Sequence, residues 1–163
     1  MVMKIKINDD FIDNYLNFLN SLKKDNAYGY YPVKEGNTHQ GKNIELGFSC
    51  FAIKSLYIID EWKNITDNQQ KSWLSFINKF QNNENKNFSE ASFIDTNYLE
   101  NITQFSLPKE TKRYIKKLLY GNINVKSKKE ELQEFIRAET KQAISTLYQV
   151  GSKNDKTYHD KVF

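Results

Sequence analysis

Few side chains in this sequence can do chemistry, and their types narrow what that chemistry is. The 163 residues include two histidines, His39 and His159, and one cysteine, Cys50. That set is too small for a His/Cys metal site, so no metal and no cofactor is expected. His39 stands in a segment rich in tyrosine and glycine, where an imidazole could serve as general base or acid. The plainer reading is an exposed loop histidine. His159 lies in a polar tail with no partner motif. Cys50 is near the start of an apolar helical pattern, a position that can lower a thiol's pKa. No His or Asn spacing supports a cysteine nucleophile, so packing is the preferred reading. Asp9, Asp10 and Asp13 could chelate Mg²⁺, because Asp9 and Asp13 share a helical face. The same residues suit the positive end of a helix dipole with no ligand at all, and that reading is preferred.

Two polar or aromatic clusters are more open. Arg137, Glu139, Thr140, Lys141 and Gln142 gather charged and amide groups in one short stretch. Such a group at the mouth of a helical cavity could hold a polar ligand such as a sugar. It could equally be a solvated helix segment with Glu139 well placed for the dipole. Tyr28, Tyr30 and Tyr31 offer apolar faces with polar tips, suited to stacking on sugar rings or to covering a helical core.

These residues need elements to position them. Phe11, Ile12, Tyr15, Leu16, Phe18, Leu19 and Leu22 recur at helical spacing, which predicts a first helix over about Asp9 to Lys24, capped by Asn8. Gly29, Pro32, Gly36 and Gly41 then predict a long loop from Asp25 to about Lys42. A second helix is expected from about Ile44 to Trp62. It is apolar nearly all round, so it should be surrounded by protein. Thr66 and Gln69 have capping-box spacing and open a third helix ending near Phe80. Gln81 to Asn87 reads as an Asn-rich loop, and Thr96 to Ile102 as a short helix. Pro108 and Gly121 bracket another helix. Ser127 and Glu130 form a second capping box, opening a helical pattern to Val150 with a possible break near Arg137. Lys4 to Ile7 and Ile123 to Val125 are the only β-prone stretches, and both are very short. The fold class is therefore all-α, with residues 1–151 as one domain and 152–163 as a polar tail.

The sequence also repeats itself. Ala52-Ile53-Lys54-Ser55-Leu56-Tyr57-Ile58-Ile59-Asp60 parallels Ala143-Ile144-Ser145-Thr146-Leu147-Tyr148-Gln149-Val150-Gly151. Small residues at Ala52 and Ala143 would let helices approach closely. The separation suits two units of a two-helix repeat.

Helices of this kind, ending in Leu-Tyr-x-x-Gly/Asp, resemble the inner helices of the α/α-toroid superfamily. Phe76-Ile77-Asn78-Lys79-Phe80-Gln81 is similar to the end of an outer helix there, where a comparable Gln precedes a Gly-rich turn and Phe. Here an Asn-rich turn precedes Phe93-Ile94-Asp95. The superfamily includes terpenoid cyclases, protein prenyltransferase subunits, and the helical domains of heparinase-like and alginate-lyase-like polysaccharide lyases. The resemblance covers about Leu46 to Gly151. It implies antiparallel helical hairpins arranged as a partial α/α toroid. About three hairpins are legible, whereas closed toroids hold five to seven. A fragment, an open arc or several assembling copies would account for the difference.

Through the repeat, Thr140 corresponds to Ser49 and Lys141 to Cys50. In a toroid such positions lie near the cavity mouth, and toroidal lyases use His and Tyr for proton abstraction. The resemblance thus implies His39, Tyr30 and Glu139 as catalytic candidates. Tyr28, Tyr31, Ser49, Arg137, Thr140, Lys141 and Gln142 become candidate ligand contacts. Asp9 to Asp13 match the Asp-Asp-x-x-Asp pattern of class I prenyl-diphosphate enzymes, but no second acidic motif follows. The Asp-x-Asp-Asp motif of class II cyclases is absent.

Composition sets the outer bounds. Net charge is +4 and aromatics make up 14%, with a pI near 8.9 and a mean hydropathy of −0.74. Arginine occurs only at Arg113 and Arg137, which argues against nucleic-acid readout, where arginine forks dominate. No apolar run approaches the roughly 20 residues of a membrane span, and no membrane partner is expected. The lack of a signal-peptide core and the single cysteine favour the cytoplasm. The expected function is carbohydrate-related binding or a lyase-like activity. The alternatives are a non-catalytic helical interaction module and an isoprenoid-type enzyme. A carbohydrate ligand and self-assembly are the partners to look for.

Overall fold

The computed structural model describes residues 8–25, 28–81, 88–103, 107–121, 127–156 and 158. Among the described residues six α-helices carry the fold: α1 Asp9–Ser21, α2 Leu46–Ile58, α3 Asp67–Asn78, α4 Thr96–Thr103, α5 Leu107–Tyr120 and α6 Lys128–Gln149. Short 3-10 turns at Gly41–Asn43 and Trp62–Asn64 punctuate the connections. Among the described residues β-structure is limited to two isolated bridges, Lys23 with Tyr30 and Gln81 with Phe93. The chain is all-α, as its periodicity predicts. Lys4 to Ile7, Ile123 to Val125 and His159 lie outside the described residues. No described helix is long and apolar enough to cross a membrane.

Local signals set the helix starts. Asn8 caps α1 by accepting from the backbone N–H of Asp10 at 3.2 Å. Thr66 caps α3 by accepting from that of Gln69. Ser127 and Glu130 form a full capping box at α6, each side chain accepting from the other's backbone N–H. Such caps satisfy N–H groups that have no partner within the helix.

The helix ends depart more from expectation. α1 stops at Ser21, short of Lys24, because the following loop claims the backbone. Lys24 N–H donates to Gly29 O at 2.9 Å, and Tyr31 N–H to Leu22 O at 2.7 Å. α2 stops at Ile58, short of Trp62, because Asp60 turns left-handed at φ 67°. α6 runs unbroken through Arg137. The expectation that α2 is enclosed on all sides is also corrected. Leu46, Ser49, Cys50, Ala52, Ile53 and Leu56 are buried, but Phe51, Tyr57 and Ile58 are exposed.

α2 and α6 pack against each other and form the centre. Gln142 Nε2 donates to Gly47 O at 3.1 Å, the Cys50 thiol meets the Thr146 hydroxyl, and Lys54 Nζ donates to Ser145 Oγ at 2.9 Å. The first residue of α2 in this set meets the first of α6, and the two later ones meet Thr146 and Ser145, so the two helices run in the same direction. Buried Ala52 and Ala143 keep the backbones close. The two repeat segments end alike. Ile59, Asp60 and Glu61 donate to Ser55, Tyr57 and Leu56; Val150, Gly151 and Ser152 donate to the matching Thr146, Tyr148 and Leu147.

Around this pair, Trp73 and Ile77 of α3, Leu19 of α1, and Phe93 complete the core. Ile53, Ile77, Phe93 and Leu147 are fully enclosed, each worth roughly 1.5–3 kcal/mol of burial. The residues after α6 are fastened too. Gln81 Nε2 donates to Lys156 O, and Lys156 N–H donates back to Gln81 Oε1, both at 2.7 Å.

Candidate functional site

Some of the residues expected at one polar mouth belong to a buried structural network, Tyr28 and Tyr30 line a cleft, and the others lie outside both. The network centres on Asp95, which is fully buried. Its Oδ2 accepts from the N–H groups of Glu45 at 2.6 Å and Leu46 at 3.1 Å. Those groups open α2, and a carboxylate there is held by hydrogen bonds and the helix dipole together. Its Oδ1 accepts from Asn97 N–H at 3.1 Å. Asp95 therefore ties the segment before α4 to the start of α2.

Glu139 and Thr140 bind the same segment from α6. Asp95 N–H donates to Glu139 Oε2 at 3.4 Å, and Phe93 N–H donates to Thr140 Oγ1 at 3.0 Å. Burial pushes the Glu139 carboxyl up to about 8; the Asp95 N–H opposes that rise and the Asp95 carboxylate adds to it. At neutral pH Glu139 is thus mostly protonated. It is enclosed beside a helix N-terminus rather than aimed at open space.

Ser49, the repeat partner of Thr140, plays the matching role on α2. It is fully buried, accepts from Trp73 Nε1 at 2.7 Å and donates to Tyr28 O at 2.7 Å. One hydroxyl thereby joins α2, α3 and the tyrosine loop. Gln142 is spent on Gly47 O. Lys141 and His39 are exposed, and Arg137 is half-buried. Cys50 is fully buried, and burial pushes its thiol up to about 12, against lowering by the Thr146 hydrogen bond. That environment keeps it a thiol and suits packing.

The tyrosines fare differently. Tyr30 is buried and stacks on Trp73, with ring centroids 5.7 Å apart and planes 12° apart. Tyr28 lies 6.0 Å from both Trp73 and Phe76. Tyr31 sits under Lys24 Nζ at 5.3 Å. That ammonium donates to Ile44 O at 3.0 Å, and desolvation lowers its pKa despite Glu45 and Asp95 nearby. Burial drives the Tyr30 phenol well above its ordinary range, so it stays protonated and can only donate or accept hydrogen bonds.

Tyr28, Tyr30 and Trp73 are among the residues lining a cleft of about 300 Å³ between α1, the 59–66 turn and α3, though Tyr30 and Trp73 are themselves mostly buried. Leu16, Leu19, Leu56 and Ile65 add apolar lining, and Asn20, Lys23, Glu61, Asn64 and Gln69 polar lining. Glu61 accepts from Asn64 Nδ2 at 2.8 Å. Gln69 holds the Thr66 hydroxyl at 2.9 Å. Neither His39 nor Glu139 lines this cleft. A second, more polar trough of about 590 Å³ runs between α3 and residues 152–156.

Sequence reasoning found Tyr28 and Tyr30 but missed Trp73, Glu61, Asn64 and Gln69. Phe93-Ile94-Asp95 is conspicuous in the sequence, but nothing there marks Asp95 as buried. Asp9, Asp10 and Asp13 are exposed on α1. Among the described residues no group of three or more His, Cys, Asp or Glu side chains is placed to hold a metal ion.

No protein-family model matches this chain. Searches of curated proteins and of solved structures return no match either.

Proposed function

We propose that this chain is a binding module, and that the cleft beside Tyr28, Tyr30 and Trp73 takes a small polyhydroxylated ligand of the carbohydrate class. The observation that carries this reading is the lining. Aromatic and aliphatic side chains line the cleft together with two asparagines, a glutamine, a lysine and a glutamate. Sugars present apolar C–H faces and hydroxyl edges, which suit that combination. A volume near 300 Å³ is of the order of one sugar ring with its waters.

The geometry favours binding over lyase chemistry. A lyase needs a base facing the substrate carbon. Tyr30 is held protonated, Glu139 is committed to the Asp95 backbone, and His39 lies outside the cleft lining. Titrating the ¹⁵N-labelled chain with a panel of neutral and acidic monosaccharides, while following the Trp73 indole N–H, tests the reading. A saturable shift, weakened in Asn64→Ala and Gln69→Ala, is expected. Absence of any shift across the panel overturns it.

The alternative of a helical interaction module draws on a separate observation, the outward apolar face of α5.

A further inference from the structure

Among its described residues helix α5 contributes no buried residue to the core. Its sequence, LPKETKRYIKKLLY, is strongly amphipathic. On a helical projection Leu107, Tyr114, Ile115, Leu118 and Leu119 share one arc, wider than about 100°. Arg113 falls on the opposite side. In the structure Arg113 Nη2 pairs with Glu131 Oε2 of α6 at 3.1 Å, and the other described side chains of α5 except Glu110 are exposed. The apolar arc faces outward, with Leu107 69%, Tyr114 65%, Leu118 68% and Leu119 69% exposed. Large apolar patches of this kind on a protein surface mark interaction sites.

The charge says what covers the arc. Five of the 24 cationic side chains lie on α5, against one of the 20 acidic ones, Glu110. The remaining residues balance at 19 of each sign, so α5 carries the whole net charge of +4. Lys112 and Lys116 flank one edge of the arc and Lys117 the other, where long stems can lie along apolar surface and lift their ammonium groups into a polar layer. A second copy of the chain would bring like charges together. Two heptads are also too short for a stable coiled-coil seam. A nucleic acid would leave the leucines uncovered. An anionic lipid surface satisfies both faces, with acyl chains for the leucines and headgroup phosphates for the lysines.

We propose that α5 docks this protein onto anionic membrane surfaces, lying in the headgroup boundary with Leu118 and Leu119 inward and Lys112, Lys116 and Lys117 at the phosphates. The sequence expectation of no membrane partner rested on the absence of a spanning run. A helix lying in the interface needs no such run. The surface shares no residue with the cleft lining and stands independently of the sugar reading.

Co-sedimentation of the full chain with phosphatidylcholine vesicles, with and without phosphatidylglycerol, tests this. Binding is expected to the anionic vesicles only, and to weaken as salt rises. Leu118→Asp should cut the partition constant by about tenfold or more, and Lys112→Glu with Lys116→Glu should abolish the lipid preference. Both sites are exposed, so unchanged far-UV circular dichroism should accompany the loss. Wild-type chain remaining in the supernatant with anionic vesicles overturns the proposal. So does binding that Leu118→Asp leaves intact. Capture of an acidic protein without lipid binding would assign the arc to a protein partner instead.

Discussion

Asp60 and Gly151 stand at the same point of the repeat and adopt the same left-handed backbone, φ 67° and 76°. Each follows a helix whose last carbonyls are closed by the same hydrogen-bond pattern. A Cβ at positive φ is strained, and glycine avoids that strain. Asp60→Gly should therefore stabilise the protein by about 0.5–1 kcal/mol, less the small worth of the exposed Asp60–Lys63 ion pair. Gly151→Ala should destabilise it by about 1 kcal/mol. Thermal melts of both variants check the pair, and equal melting temperatures for all three proteins would refute the shared cap.

Asp95 should matter far more to folding than its single charge suggests. Removing its side chain strips the cap of α2 and leaves buried N–H groups unpaired. Asp95→Ala should cost about 2–4 kcal/mol. Asp95→Asn, which keeps an acceptor, should cost less. Urea denaturation measures both, and a loss below about 0.5 kcal/mol for alanine would remove Asp95 as the fastener of α2.

Glu139 should make stability fall as pH rises. Its folded value near 8 exceeds its ordinary 4.5, so the folded chain holds the proton more tightly. Its contribution is full below about 4.5, declines as pH climbs through the folded value near 8, and is then flat. The decline is on the order of a few kcal/mol. Glu139→Gln keeps an acceptor for Asp95 N–H and should flatten this part of the profile. Identical slopes for the two proteins between pH 5 and pH 8.5 would contradict it.

Cys50 should report on opening of the α2–α6 pair. It is fully buried, and its thiol is pushed up to about 12. Iodoacetamide at pH 8 should leave the native chain unmodified by mass spectrometry and label it fully in denaturant. Rapid labelling under native conditions would show that α2 and α6 separate readily.

The amphipathic face of α5 was legible in the sequence through the spacing of Leu107, Tyr114, Ile115, Leu118 and Leu119. That it is left uncovered was not. Periodicity says that a helix has an apolar side, but only its packing says whether that side faces inward. The apolar run of α2 misled in the opposite sense, because Phe51, Tyr57 and Ile58 are left exposed. The sugar-like cleft was half legible. Tyr28 and Tyr30 belong to a conspicuous cluster, whereas Gln69 reads only as part of a helix cap and Asn64 and Trp73 belong to no motif. They reach the tyrosines only through the packing of α1 and α3 with the loop between α1 and α2.

The sequence by itself determined the all-α class, the helix starts at Asn8, Thr66 and Ser127, the stops at Gly121 and Gly151, and the repeated segment ending at Asp60. These are local effects, set by side chains a few residues from the backbone groups they satisfy. Only the tertiary structure decided that Glu139, Thr140 and Ser49 are fasteners and that His39 stands apart from them. Asp95 caps a helix that begins 49 positions earlier in the chain, and Glu139 holds Asp95 from 44 positions later. Meetings at that distance depend on how whole helices pack, which no spacing within one segment encodes.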